Sequence, residues 1–256
     1  MTNFQLCDIH QVVDWPYKLY KMHLPGFLIK PLFLSALALA FSETSASDLN
    51  TLETECDNAK ATSCSNLAKH YFYKEEHDSD DYEKAISYFD KACLLKDYKA
   101  CESIGYAYRN GKVVKKDIKK AVDYYDKACD FGSRRMCAIL AYWYQEGVYV
   151  QKDFNKLKKY EYKSCTLGDN DFCMGYAHTV FIKLKSEKDY KAAFDILKQK
   201  CEQENIKEAC NNAGYALANG AVTNKKDLKK ARSYYKKACD MKLPLGCENL
   251  KNTKGF

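Results

Sequence analysis

An all-α solenoid of stacked helical hairpins is the fold this sequence predicts, and three observations predict it. Cysteines recur in pairs, Cys56/Cys64, Cys93/Cys101, Cys129/Cys137, Cys165/Cys173, Cys201/Cys210 and Cys239/Cys247, eight residues apart in five pairs and nine in one. Their first members step along the chain by 37, 36, 36, 36 and 38 residues, the length of one helix-turn-helix. Between the pairs, apolar and small residues return at helical spacing: Cys101, Ile104, Gly105 and Tyr108, then Ile118, Ala121, Val122, Tyr125 and Ala128. An aspartate also stands twelve residues before the first cysteine of each later pair, at Asp81, Asp117, Asp153, Asp189 and Asp227. A hairpin this short buries its apolar stripe only against its neighbours, so the units must stack.

Taken in order, residues 1–46 stand outside the repeat. The run 31–41 is apolar, follows Lys30, and leads to small-residue sites at Ala38-Leu39-Ala40 and Thr44-Ser45-Ala46. It is too short to span a bilayer and has the length and flanks of a secretory h-region. A signal peptide over 22–46 is expected; a buried helix is the competing reading. The prefix 1–21, mixed in charge and carrying Trp15-Pro16, is expected to lie outside the fold, with translation starting at Met22. Cys7, the one cysteine without a partner, would then be absent from the mature chain. No cysteine closely follows the apolar run, so no lipid or other stable membrane anchor is expected.

A capping helix over 47–60 carries Cys56. Five hairpins over 61–243 follow, then a terminal helix and tail over 244–256. In each hairpin the aspartate is placed to cap the second helix and oppose its dipole, and the residue after it is apolar: Tyr82, Ile118, Phe154, Tyr190 and Leu228. Gly111, Gly147 and Gly220 are placed to end the first helices in the left-handed conformation. The first and fourth hairpins carry Lys74 and Lys183 at that point instead.

Each cysteine pair brackets a helix-helix corner, with one member in the last turn and the other in the first turn of the next helix. That geometry brings Cα atoms within the roughly 7 Å a disulfide needs. Zinc is the rival ligand, but structural zinc sites bring cysteines two to four residues apart in converging pairs. Six disulfides are therefore expected, each nominally worth about 2.5 kcal/mol by loop entropy. They imply an oxidising compartment, secreted or periplasmic.

The net charge of +7 comes from lysines spread over every hairpin, such as Lys115-Lys116, Lys119-Lys120, Lys158-Lys159, Lys225-Lys226 and Lys229-Lys230. A solvated outer face explains this dispersal. Without a concentrated arginine patch, nucleic acid is not an expected partner, whereas attraction to surface polyanions is compatible with it.

The small-residue–tyrosine steps Gly105-Tyr106, Ala141-Tyr142 and Gly214-Tyr215 resemble the Sel-one-like repeat, a relative of the tetratricopeptide repeat. So do the runs Lys-Lys-Ala-Val-Asp-Tyr-Tyr-Asp-Lys-Ala-Cys at 119–129 and Lys-Lys-Ala-Arg-Ser-Tyr-Tyr-Lys-Lys-Ala-Cys at 229–239. With its cysteine pairs and signal-like segment, the chain is similar to the Helicobacter cysteine-rich proteins from about residue 48 to 252. The resemblance implies a right-handed α/α solenoid of Sel-one-like repeats braced by disulfides and exported from the cytoplasm. It also implies penicillin binding or weak β-lactamase activity, with β-lactams as ligands, or contact with host proteins.

The residues themselves carry little of that chemistry. A serine β-lactamase needs Ser-x-x-Lys, Ser-Asp-Asn and Lys-Thr-Gly; only Ser233-Tyr234-Tyr235-Lys236 occurs, inside a repeat helix whose equivalent positions are Ser87, Asp123, Lys159 and Asp195. His70, His77 and His178 are scattered, so no metal site is expected, nor any cofactor. No catalytic residue is assigned.

Binding is the better-supported function. Residues two, five and nine after the second cysteine of a pair point away from the buried stripe of the first helix. From these positions come the candidate binding residues Asn66, Tyr73, Ser103, Tyr106, Asn110, Ile139, Tyr142, His178, Asn212, Tyr215 and Asn219. In tetratricopeptide-like solenoids the first helices line the concave side, where such rings and amides suit a peptide, a protein or a peptidoglycan-like ligand. The competing reading packs the tyrosines between neighbouring units.

Overall fold

A computed structural model describes residues 46–74, 79–111 and 113–253. The expected signal peptide, the start at Met22, and Cys7, His10, His23 and His77 fall outside them. Among the described residues there are twelve α-helices, one π-helical turn and no strand. The chain divides into two compact units, with the boundary between Met136 and Cys137.

The first unit holds α1 (Ala46–Asp57), α2 (Ala61–Phe72), α3 (Ser79–Leu94), α4 (Tyr98–Asn110) and α5 (Ile118–Asp130), and the opening residues of α6 (Arg134–Glu146). Successive helices pack on one another from α1 to α5. The core holds Leu67, Ala68, Ala85, Phe89 and Ala92 in one hairpin and Ile104, Ala107, Ala121, Tyr125 and Ala128 in the next; of the stripe expected from the spacing, Tyr108, Ile118 and Val122 are only half-buried, and Ala107 lies outside it. Gly105 is small for a stated reason, because a Cβ there would sit 2.4 Å from the ring of the buried Tyr125.

The second unit continues α6 and adds α7 (Phe154–Thr166), α8 (Asn170–His178), the π turn (Thr179–Lys183), α9 (Glu187–Gln203), α10 (Lys207–Ala218), α11 (Leu228–Asp240) and α12 (Pro244–Asn252). Its core gathers Val180, Phe181, Ala193, Leu197, Ala213 and Ala216, with Ala231 and Tyr235 beside Leu217. Gly214 lies under Tyr235 as Gly105 lies under Tyr125, with 2.7 Å from a built Cβ to the ring.

Disulfides Cys56–Cys64, Cys93–Cys101, Cys165–Cys173, Cys201–Cys210 and Cys239–Cys247 close the corners with Cα–Cα distances of 4.5 to 4.8 Å. Cys129 and Cys137 are disulfide-bonded too. All twelve cysteines of the repeat are thus consumed, and no His/Cys/Asp/Glu group among the described residues is arranged to hold a metal.

The aspartate signature holds in three hairpins and fails in two. Asp117, Asp153 and Asp227 cap α5, α7 and α11, accepting backbone N–H bonds from Lys120, from Asn155 and Lys156, and from Lys230. Asp81 and Asp189 do not cap, because α3 and α9 each begin two residues earlier, at Ser79 and Glu187. Asp81 is buried and takes an ion pair from Lys74 at 2.9 Å. Asp189 sits in the first turn of α9, where it accepts from the Ser186 hydroxyl and from Lys158 of α7. These are the two hairpins without the terminal glycine. Gly111, Gly147 and Gly220 take φ of 70°, 76° and 73° as expected; in the fourth hairpin the first helix instead loosens into the π turn and closes with Lys185 at φ 47°.

Candidate functional site

On α2 and α4 the outward register is open to solvent. Tyr73 is 72 % exposed and Tyr106 52 %, Asn66 and Ser103 are exposed and Asn110 is half-buried. The Ser65 hydroxyl at the start of α2 donates to Asp97, the N-cap of α4, which also accepts from the N–H groups of Lys99 and Ala100. That bond joins the leading ends of the two first helices. The Arg109 guanidinium lies 4.9 Å over the Tyr106 ring, adding positive charge beside an exposed aromatic face. The Ser103 hydroxyl donates to the Lys99 carbonyl, while the Asn66 amide has no partner among the described residues.

The second unit treats the same register differently. Asn219 is exposed, but Ile139, Tyr142, His178 and Tyr215 are half-buried. Asn212 is fully buried, against the expectation that it faces outward. Its amide accepts from the Asn211 side chain at 3.2 Å and approaches the Met174 sulfur of α8, and Asn211 in turn accepts from Asn249 at 2.9 Å. The lateral approach of one first helix to the next covers this position, so Asn212 belongs to a buried amide network.

The Ser-x-x-Lys fragment makes no nucleophile-base pair. The Ser233 hydroxyl donates to the Lys230 carbonyl at 2.7 Å, and Lys236 is ion-paired with Asp240 one turn on at 2.6 Å. Both groups are spent within α11.

Three features on the second helices were not foreseen. The first is a repeated sandwich. Tyr71 stacks on Tyr88, Tyr108 on Tyr124 and Tyr144 on Tyr160, with centroids 5.7 to 5.8 Å apart and planes within 9°. Lys84, Lys120 and Lys156 cover the first ring of each pair, and Lys91, Lys127 and Lys163 the second. The second is a bond from one second helix to the one before: Tyr88, Tyr124 and Tyr234 donate to Glu53, Asp90 and Glu202. Burial, reinforced by the neighbouring carboxylate, pushes the Tyr88 phenol up to about 12. The third is a cleft of about 570 Å³ within the second unit, lined by Phe194, Lys198, Glu202, Leu217, Tyr234 and Lys237 among others.

The sequence profile of the Sel1 repeat matches residues 61–97, 99–133, 135–169 and 207–243, more than half of the chain. The chain belongs to the Sel1 repeat family. Its fold is similar to that of a Sel1 repeat protein from Oxalobacter formigenes, at 19 % identity and a TM-score of 0.56, over 80 % of this chain and 58 % of that one. Two further solved structures are similar. One is c5321, described as a protective antigen of uropathogenic Escherichia coli strains displaying an SLR fold (24 % identity, TM-score 0.43, 81 % of this chain and 44 % of that one). The other is Helicobacter pylori cysteine rich protein B (31 % identity, TM-score 0.37, 50 % of this chain and 90 % of that one). The chain therefore spans less than two thirds of the length of the first two. A search of curated protein sequences finds no match.

The Sel1 profile passes over 170–206, and that hairpin departs from the others in substance as well. It has Val180 and Ile196 where the sandwich tyrosines stand and the π turn in place of the glycine end, and it shares with the first hairpin an aspartate, Asp189, inside its second helix. As a class, disulfide-rich Sel1 repeat proteins are protein-interaction modules.

Proposed function

We propose that this Sel1 repeat protein is an exported interaction module that holds an extended peptide, including peptidoglycan stem peptides, on the outward register of α2 and α4. The observation that carries the reading is the exposure of two rings, Tyr73 and Tyr106, and of the unpartnered amide of Asn66 on the same outward register. Exposed tyrosine supplies contact area with little rotamer freedom to lose, and a free amide can pair with a peptide backbone. The six bridges support an oxidising location, secreted or periplasmic, because cytosolic thiols stay reduced. Among the described residues no helix is long and apolar enough to cross a membrane.

The test is calorimetric titration of the oxidised protein with a disaccharide-tetrapeptide fragment of peptidoglycan. Tyr73→Ala combined with Tyr106→Ala is expected to weaken binding at least tenfold while leaving the thermal transition in place. Undiminished binding by the double variant, or none by the wild type, would overturn the reading.

A further inference from the structure

The sandwich of the first three hairpins has four positions: a tyrosine seven residues after the second cysteine of a pair, a tyrosine five before the next first cysteine, and lysines nine and two before it. The last hairpin keeps three of them as Lys230, Tyr234 and Lys237, and has Leu217 in place of the first tyrosine. All four of these residues line the 570 Å³ cleft. Leu217 is buried, at 6 % exposure. Outside it, one wall is left apolar by Phe194, Val222 and the exposed part of Tyr234, whose ring meets Phe194 edge-on at 6.3 Å. A cleft of this size with apolar walls and a few charged groups is of ligand-binding dimensions.

Charge selects the occupant. Of the carboxylates on the rim, Glu202 accepts the Tyr234 hydroxyl at 2.7 Å and Asp227 caps α11 and pairs with Lys230 at 3.2 Å. Lys237 donates to the Cys201 carbonyl. Lys198 is exposed and has no partner among the described residues. The cleft thus offers a ring-shaped space against Tyr234 with a surplus of positive charge at its mouth.

We infer that this cleft receives an aromatic side chain of a partner protein, presented on a segment in which acidic residues flank the aromatic one. The ring stacks on Tyr234 where the other hairpins place their own tyrosine, and of the flanking carboxylates one meets Lys198 and the other shares Lys230 with Asp227. This site uses none of the residues of the peptide face proposed above, so each can fail alone.

The probe is a fluorescein-labelled peptide with the core Gly-Asp-Phe-Asp-Gly, read by anisotropy with the oxidised full chain. Replacement of Phe by Ala, or of both Asp by Asn, is expected to reduce affinity at least tenfold. Leu217→Tyr should rebuild the sandwich and abolish binding, and Lys198→Glu should weaken it at least fivefold; both should keep wild-type helicity. Tyr73→Ala with Tyr106→Ala should leave this probe's affinity unchanged. The inference is overturned if the wild type does not bind, if the Ala and Asn peptides bind as well as the parent, or if Lys198→Glu, which touches no core, binds normally. Should Leu217→Tyr misfold, Tyr234→Ala provides the same reading, with retained affinity contradicting the stack.

Discussion

Glu161 stands four residues before Cys165, where Tyr125 and Tyr235 fill the cores of other hairpins. It is buried at 5 % exposure, Gly175 leaves room for it, and its Oε2 has no hydrogen-bond partner. Burial pushes its carboxyl up to about 8, against the opposing hydrogen bond from Thr179. The folded state therefore keeps a proton that the unfolded chain releases near 4.5. Stability should be full below that pH and fall as pH rises towards 8, at roughly 1.4 kcal/mol per pH unit where the two states differ by a whole proton. Glu161→Gln is expected to match the wild type near pH 4 and to melt at a higher temperature at pH 8. Melting curves from pH 4 to pH 9 check this, and parallel curves for the two proteins would contradict it. The residue was visible in the sequence as Lys-Tyr-Glu at 159–161 where other units have Asp-Tyr-Tyr or Ser-Tyr-Tyr. Its burial was not, since a glutamate on a lysine-rich helix reads as solvated.

Helices follow their punctuation where that punctuation is complete. Asp153 takes two N–H groups of α7, so Asp153→Ala should cost about 1 kcal/mol in urea unfolding. A cost near zero would show that the cap is redundant. Period, cysteine register and the left-handed glycines were legible because each rests on one local requirement. The starts of α3 and α9 were not: Ser79 and Glu187 extend those helices past the aspartate, and Asp81 and Asp189 find cationic partners in Lys74 and Lys158. The ring sandwich was legible only in part. The tyrosines were read as one competing set, whereas the second-helix tyrosines pair with first-helix ones at a register that Tyr106 does not share. Leu217, the single break in that register apart from the fourth hairpin, carried the signal for the cleft.

For the whole molecule, stacked hairpins supply only nearest-neighbour burial, which leaves each corner to be held locally. A disulfide at each junction between one hairpin and the next does this by limiting the freedom of the unfolded chain, at about 2.5 kcal/mol per loop of this length. Within the first unit the bonds from Tyr88 to Glu53 and from Tyr124 to Asp90, with the bridges, tie together the helices that carry the proposed face of Tyr73 and Tyr106. The proposed function accordingly calls for an oxidising compartment, since reduction would release the bridged junctions at once. Peptide mapping by mass spectrometry, on unreduced protein alkylated as it is recovered from its native compartment, tests this most directly. The account predicts no alkylated thiol among the twelve cysteines from Cys56 to Cys247, and six cross-linked pairs, each joining neighbours eight or nine residues apart. Free thiols at those positions, or bridges that join one hairpin to a distant one, would contradict it.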